Sequence, residues 1–402
     1  MSIVHFMRVC AVTISLLWVL SAAINPEAVN AAAESPWLVQ NTIPAGTIPP
    51  IAPTLVNNDF ECTTGYYGRN NDIGQEILLP NGWEAAILTG SPKISSARIF
   101  FAKSCDGSAH VEKISGIDSI VIRAQDMETA PEPGKPFDVV FYQPISATIG
   151  GGYSVSGWLL SLCGGSATPS DCPKDQYIAK MIGIDPTGGV DPNADSIVWT
   201  ENRHNFWEEG KRVGWQQMSV SAVAQATTIT IFARIKSPFR WHGNHAFIDA
   251  LSVVRAPVAA LTVPATVTGT QIALQWEGLQ SPDIAAIAGG TYALRYDIQF
   301  RHSSVESWGD LLTDRAATTG SETINVNCSD TTYEFRIRTR AEQPPAPAPA
   351  GAWPNHRYHG VWSEAIPVQL QSGASLMTPS QPVDLPGPFQ IFLPNVANQK
   401  PC

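Results

Sequence analysis

Residues 153–162 read YSVSGWLLSL. On an extended chain Tyr153, Val155 and Leu159 share one face, and Ser154, Ser156 and Trp158 share the other. TITIFARI (228–235) repeats the period of two, with Ile229, Ile231 and Ala233 opposite Thr228, Thr230 and Phe232. Further strand-like runs surround these two: DSIVIRA (118–124), FDVVFYQPI (137–145), YIAKMIGI (177–184), SIVWT (196–200), QQMSVSAVA (216–224) and HAFIDALSVV (245–254). At least eight strands over ~200 residues, with no amphipathic helix between them, predict a two-sheet sandwich or jelly roll.

A smaller block with the same character follows. Its strands are TQIALQW (270–276), YALRYDIQFR (292–301), ETINVN (322–327), YEFRIRTRA (333–341) and EAIPVQL (364–370). About seven short strands in ~110 residues is the size of an immunoglobulin-like sandwich. PPAPAPAGAWPNH (344–356) interrupts it as a Pro-rich, extended loop. The expected fold class is therefore all-β: a jelly-roll sandwich over 54–256, then a smaller sandwich over 258–371.

The flanks read differently. Residues 1–33 carry an apolar run, VCAVTISLLWVLSAA, with small residues after it, and are expected to be a signal peptide. Residues 34–53 are Pro-rich and aperiodic, and read as a linker. Residues 372–402 form a polar tail in which LPGPFQIFLPNVA is a short apolar patch that can add an edge strand. No membrane span is expected in the mature chain, so the product is secreted, extracellular or held at the cell surface. With 25 basic and 35 acidic residues the net charge is −10, and residues 1–33 hold one Arg and one Glu, so their removal does not alter it. That balance argues against nucleic acid, which requires a basic stripe.

Removing Cys10 with the leader leaves Cys62, Cys105, Cys163, Cys172, Cys328 and Cys402, an even set that permits disulfides in an oxidising compartment. Cys163 and Cys172 bracket a short loop and form the first expected pair. Cys62–Cys105 is the second. Cys328 and Cys402 are free or paired with each other. No CxxC occurs.

The second block resembles a fibronectin type III domain. The residues that carry this are LQW with Trp276, YDIQFR (296–301), Tyr333 at a tyrosine-corner position, and VWSE (361–364). The larger block resembles the CenC-type, galactose-binding-like jelly-roll carbohydrate-binding modules. VNNDFE (56–61) opens it, PNGW (80–83) follows, and then come FYQPI, YSVSGW, TITIFARI and AFIDALSV in order. The resemblance implies a structural calcium between the first and last strands, with Glu61 and Asp249 at the matching positions; hard oxygen ligands suit Ca²⁺.

A search for catalytic motifs finds no GxSxG, HExxH, P-loop or GxGxxG. Glu201, Glu208 and Glu209 are acids available to a glycosidase, and solvated surface residues otherwise. His242 and His245, and His356 and His359, have i,i+3 spacing without a helix to present them, and read as loop residues rather than metal ligands. Asn327 begins a formal glycosylation sequon. The run GIDPTGGVDPNADSIVWT (183–200) interleaves Asp185, Asp191 and Asp195 with turn-forming Gly and Pro. It reads as a connector between two strands, or as a rim or ion site.

Aromatic residues carry the remaining signal, because the CH faces of sugar rings stack on Trp and Tyr. The expected ligand-binding residues are Trp207, Trp241, Trp83, Tyr66 and Tyr67 in loops, together with Trp158. Trp199, Trp215 and Trp276 lie in or beside strands and are expected in cores. The function expected is non-catalytic binding of a polysaccharide or glycan, with the second sandwich as a spacer. The alternative is a structural or adhesive surface protein whose sandwiches contact other proteins.

Overall fold

Alternation of apolar and polar side chains builds the structure strand by strand. The computed structural model describes residues 38–40, 51–71, 74, 76–96, 113–125, 135–162, 177–203, 214–239, 244–284, 287, 292–316, 319–326, 331–342 and 356–371. Among these there is one short 3-10 turn, Cys62–Thr64, and no α-helix.

The first sandwich comprises β2 (Tyr66–Asn70), β3 (Glu76–Pro80), β4 (Glu84–Thr89), β5 (Lys93–Ser96), β6 (Ile120–Arg123), β7 (Phe137–Ser146), β8 (Gly152–Leu162), β9 (Ala179–Asp185), β10 (Val198–Asn202), β11 (Gln216–Val223), β12 (Thr228–Ser237) and β13 (His245–Arg255). It follows β1 (Leu38–Gln40), which belongs elsewhere. One five-stranded sheet has the order β10-β9-β12-β7-β4, the other β11-β8-β13-β6-β5, and β2 pairs with β3 as a hairpin. Every pairing is antiparallel, and neighbours in each sheet are mostly distant in sequence, as a jelly roll requires.

The core between the sheets takes one parity of each strand. Tyr153, Val155 and Leu159 of β8 meet Ile229, Ile231, Ala233 and Ile235 of β12, with Val139 and Phe141 of β7 and Ile182 and Ile184 of β9. The alternation in YSVSGWLLSL thus does what its period predicts.

The second sandwich comprises β14 (Val258–Pro264), β15 (Thr266–Thr268), β16 (Gln271–Leu279), β17 (Ala293–His302), β18 (Gly309–Arg315), β19 (Thr319–Asn325), β20 (Thr332–Glu342), β21 (Arg357–His359) and β22 (Ile366–Gln371). One sheet runs β1-β14-β16-β19 and the other β15-β22-β20-β17-β18, with β21 paired to the far end of β20, beyond β22. Trp276, Tyr296, Phe300, Tyr333, Phe335 and Ile337 fill the space between them. Residues 38–40, expected within a linker, instead form an edge strand against β14. Backbone pairing at an exposed edge overrides an aperiodic side-chain pattern, because an edge offers unpaired N–H and C=O groups whatever the partner's side chains.

The outward serines of β8 have a purpose that periodicity alone does not give. Ser154 and Ser156 are fully buried, because the second sandwich covers them. His356 Nδ1 lies 3.0 Å from Ser156 Oγ, the Tyr358 hydroxyl donates to Ser252 Oγ at 2.8 Å, and Ser221 Oγ donates to the carbonyl of Gly360 at 3.0 Å. Arg255 at the end of β13 adds an ion pair to Asp283. Small hydroxyl side chains let β21 approach closely while keeping its polar groups bonded.

Candidate functional site

The outer face of the β10-β9-β12-β7-β4 sheet carries an aromatic row set by strand register. Trp199 pairs with Gly183, Gly183 with Phe232, Phe232 with Tyr142, and Tyr142 with Glu84, so five residues form one line across all five strands. Phe232 is fully buried, while Trp199 and Tyr142 stay half-exposed on either side of it. Ring centroids are 5.7 Å apart for Trp199–Phe232 and 6.0 Å for Tyr142–Phe232. Trp199 and Tyr142 are thus three interstrand steps of ~4.8 Å apart.

Gly183 makes the row possible. A Cβ there would come 2.6 Å from Cε3 of Trp199, so only a glycine lets the indole lie across the strand. Beside the row Arg234 grips Asp138, with Nε to Oδ1 at 2.9 Å and Nη2 to Oδ2 at 2.7 Å. At the β4 edge Glu84 is exposed and lies 3.6 Å from Arg69. Aromatic faces bordered by fixed polar groups suit an amphipathic ligand.

The loop 186–197 supports one end of this row. Asp185 Oδ1 accepts from the backbone N–H and the hydroxyl of Thr187, and Asp191 Oδ1 accepts from the N–H of Asn193, so both acids make Asx turns. Ala194 and Ile197 then pack with Trp199, Val140 and Phe232. The loop acts as a connector that buttresses the rim.

The expected aromatic residues divide. Trp83 is fully buried, and its Nε1 donates to the carbonyls of Val56 (2.9 Å) and Asn57 (3.2 Å). It is a core residue that fixes the first turn, not a ligand platform; PNGW turns it inward against Phe60, 5.4 Å away. Tyr67 is half-buried at the β4 edge, donates to the carbonyl of Trp83 at 2.8 Å, and has a pKa pushed up to about 12 by burial and then by Glu84. It borders the aromatic row. Tyr66, one residue earlier, points the other way and donates to the carbonyl of Phe60 at 2.6 Å. Trp158 is half-exposed on the outer face of the second sheet, packed with Ile114, Val121, Leu160, Trp215 and Phe247. Trp207, Trp241, Cys105, Cys163 and Cys172 lie outside the described residues.

Trp276 in the second core and Trp215 in a smaller cluster are both buried as expected, whereas Trp199 is half-exposed, and neither Trp215 nor Trp199 sits between the sheets. Each occupies an outward position, where the face rather than the strand decides its role. Tyr142 and Phe232 were signalled in the sequence by aromatics falling on the polar parity of FDVVFYQPI and TITIFARI.

The acids implied as calcium ligands stand together at the opposite side of the fold. Glu61 Oε1 accepts from the N–H groups of Ile117 (2.8 Å) and Asp118 (3.2 Å). Asp249, fully buried on β13, accepts from Ile114 (2.7 Å), Ser115 (2.9 Å) and Ala250 (2.7 Å). One loop, 113–119, therefore wraps both carboxylates. Gly116 has φ +49°, and a Cβ there would lie 1.7 Å from Glu61 Oε1.

Asp59 joins them. Burial, and then the charge of Glu61, push its pKa up to about 7, and its buried Oδ1 has no hydrogen-bond partner. Burial also raises Asp249, against the pull of its three N–H donors. Crowded carboxylates and an orphaned oxygen fit a hard cation. Among the described residues, however, no three acidic, His or Cys side chains converge as a metal-binding group. Main-chain donors hold much of this charge instead. His356 is buried, with a pKa lowered to about 3 by desolvation, and serves the contact between sandwiches. Cys62, also buried, is disulfide-bonded.

No family model matches the chain, and no curated protein matches it. Solved structures with some likeness include TmCBM61 in complex with β-1,4-galactotriose, at 14% identity and TM-score 0.27, covering 44% of this chain and 89% of that one. A β-1,2-glucanase from Parabacteroides distasonis matches at 11% identity and TM-score 0.24, covering 73% of this chain and 37% of that one. The adhesin domain of Epf from Streptococcus pyogenes matches at 11% identity and TM-score 0.23, covering 74% and 94%. These values are too low to assign this chain to a family or a function.

Proposed function

We propose that this protein is an exported, non-catalytic glycan-binding protein whose ligand lies along the Trp199–Phe232–Tyr142 row. The observation that carries the reading is the register that puts two half-exposed aromatics and Glu84 in one line across the sheet. Sugar CH faces would stack on Trp199 and Tyr142. Glu84 and the Arg234–Asp138 pair would meet hydroxyl groups at the sides. Phe232 beneath them keeps both rings in place at little entropic cost on binding.

The second sandwich acts as a rigid extension, since its contact with Ser154, Ser156, Ser221 and Ser252 leaves the aromatic row uncovered. Structural calcium at Glu61 and Asp249, with Asp59 beside them and main-chain carbonyls completing its shell, belongs to the same proposal. An ion there would offset the burial and mutual repulsion that raise the pKa of Asp59 and Asp249. A disulfide from Cys62 to Cys105 is also proposed.

A glycan array followed by calorimetry tests the reading. Binding to at least one plant, fungal or bacterial polysaccharide, lost in Trp199→Ala, supports it. Absence of binding across the array, with capture of protein partners only, supports the adhesive alternative.

A further inference from the structure

The second sandwich carries a stack of guanidinium and indole groups on the outer face of β17, β20 and their neighbours. The Cζ of Arg301 lies 4.5 Å from the Trp308 ring centroid, and the Cζ of Arg336 lies 4.2 Å from the same ring. Arg336 is also 4.7 Å from Trp362, and Arg338 is 4.6 Å from that ring. Five side chains thus alternate Arg, Trp, Arg, Trp, Arg. Tyr333, Phe335 and Ile337, the opposite parity of β20, fill the core.

Strand register gives each cation a facing residue. Arg301 faces Glu334, Arg338 faces Asp297, and Arg336 faces Gln299. Arg301 Nε reaches Glu334 Oε2 at 2.5 Å, and Arg338 Nε reaches Asp297 Oδ2 at 3.1 Å. Arg336 instead donates from Nε (3.0 Å) and Nη2 (2.7 Å) to the neutral Oε1 of Gln299. Among the described residues no carboxylate pairs with it. Desolvation, then the charges of Arg301 and Arg338, hold its pKa below the ordinary value. Most other arginines described in this sandwich have an acid: Arg295, Arg315, Arg340 and Arg357 all do.

Stacking occupies the faces of the Arg336 guanidinium and Gln299 takes its Nε–Nη2 edge, which leaves the Nη1–Nη2 end of the fork to meet an anion. The two indoles hold that edge in one orientation, so little rotamer freedom is lost on binding. Planar or tetrahedral oxyanions match the fork. Guanidinium groups recur along the stack at most roughly 9 Å apart, two ring-to-cation steps. Because Arg301 and Arg338 keep their own carboxylates, the line suits a chain that sets one anion on Arg336 and runs its neighbouring hydroxyl-bearing residues along the flanking Trp and Arg groups.

We infer that the Trp308–Arg336–Trp362 stack is a second binding site, for an acidic polysaccharide, with the carboxylate or sulfate of one sugar residue on Arg336. It is separate from the aromatic row of the first sandwich and does not depend on a ligand there. Lacking an internal carboxylate, Arg336 is left to take one from outside.

The test is affinity electrophoresis and calorimetry of the full mature chain with polygalacturonate and with dextran sulfate. These two arms distinguish carboxylate from sulfate, and neutral dextran and phosphatidylserine vesicles serve as comparisons. The expected result is binding of at least one polyanion that weakens as salt rises. Arg336→Gln should lower affinity about tenfold or more, the loss of a charge-assisted contact. Gln299→Glu should do the same by supplying an internal counterion while keeping every stacked side chain. Trp199→Ala should leave polyanion affinity unchanged. The inference is overturned by no binding of either polyanion at low salt, by equal affinity in folded Gln299→Glu, or by binding to the vesicles alone.

Discussion

Trp199 lies across Gly183, its register partner on β9, with no room for a Cβ between the indole and the strand. That pair ties a local choice of glycine to the exposed surface. Without it the indole lifts off the sheet and the row from Trp199 to Tyr142 loses its flat end.

Gly183→Ala is therefore expected to weaken glycan binding about five- to tenfold although residue 183 touches no ligand. Overpacking against Trp199 and Ile197 should also cost about 1–3 kcal/mol of stability. Calorimetry and urea melts on the same preparation measure both. Unchanged affinity would show that the orientation of Trp199 is irrelevant to binding.

Trp83 should behave in the opposite way. Trp83→Ala removes a fully buried ring and two hydrogen bonds to the 56–57 turn, a loss of about 3–5 kcal/mol. Trp83→Phe keeps most of the volume, and its folded fraction should bind glycan with wild-type affinity. Denaturant midpoints set beside affinities separate the two roles.

Asp59 gives a pH signature for the acidic cluster. Its folded pKa of about 7 lies above the ordinary 3.8, so the folded state binds more protons between those values. Stability from this group is present in full below about pH 4 and is lost as pH rises through 7. Without calcium, Asp59→Asn should flatten that fall and stabilise the protein near pH 8. Millimolar Ca²⁺ should raise the wild-type melting temperature at pH 8 and leave that of Asp59→Asn nearly unmoved. A wild-type melting temperature indifferent to both Ca²⁺ and chelator would count against an ion at Asp59, Glu61 and Asp249.

His356 carries the reverse dependence. Burial lowers its pKa from 6.5 to about 3, so the unfolded chain takes up the proton first as pH falls. Its contribution is present above pH 6.5 and lost between 6.5 and 3. His359, lowered to about 3 by burial and then by Arg338, Arg340 and Arg357, adds to this loss. Melts of His356→Gln across pH 4–7 should show a shallower acid-side decline than wild type.

Period-two alternation made the two sandwiches legible: Tyr153, Val155 and Leu159 lie in one core, and Trp276 and Tyr333 in the other. Side-chain pattern could not say which outward face stays open. Ser154 and Ser156 fall on the polar parity opposite Tyr153 and Val155, yet the contact with β21 buries them. Trp199 read as core because it lies in a strand, yet its partner across the pair is a glycine on the outside. Both outcomes depend on register and on the other sandwich, which are long-range facts. Residues 38–40 escaped because edge pairing uses backbone groups. The acids at 61 and 249 were picked out only through resemblance, and Asp59 beside them was not; the loop at 113–119 that binds Glu61 and Asp249 has no local signature.

The most direct measurement is calorimetric titration of one soluble polysaccharide, chosen from the array, into wild type, Trp199→Ala and Tyr142→Ala. Stacking on this face predicts that each substitution weakens binding about tenfold or more while the melting temperature shifts by only a few degrees, since both rings are half-exposed. Equal affinity in all three proteins would contradict a glycan site on the Trp199–Phe232–Tyr142 row.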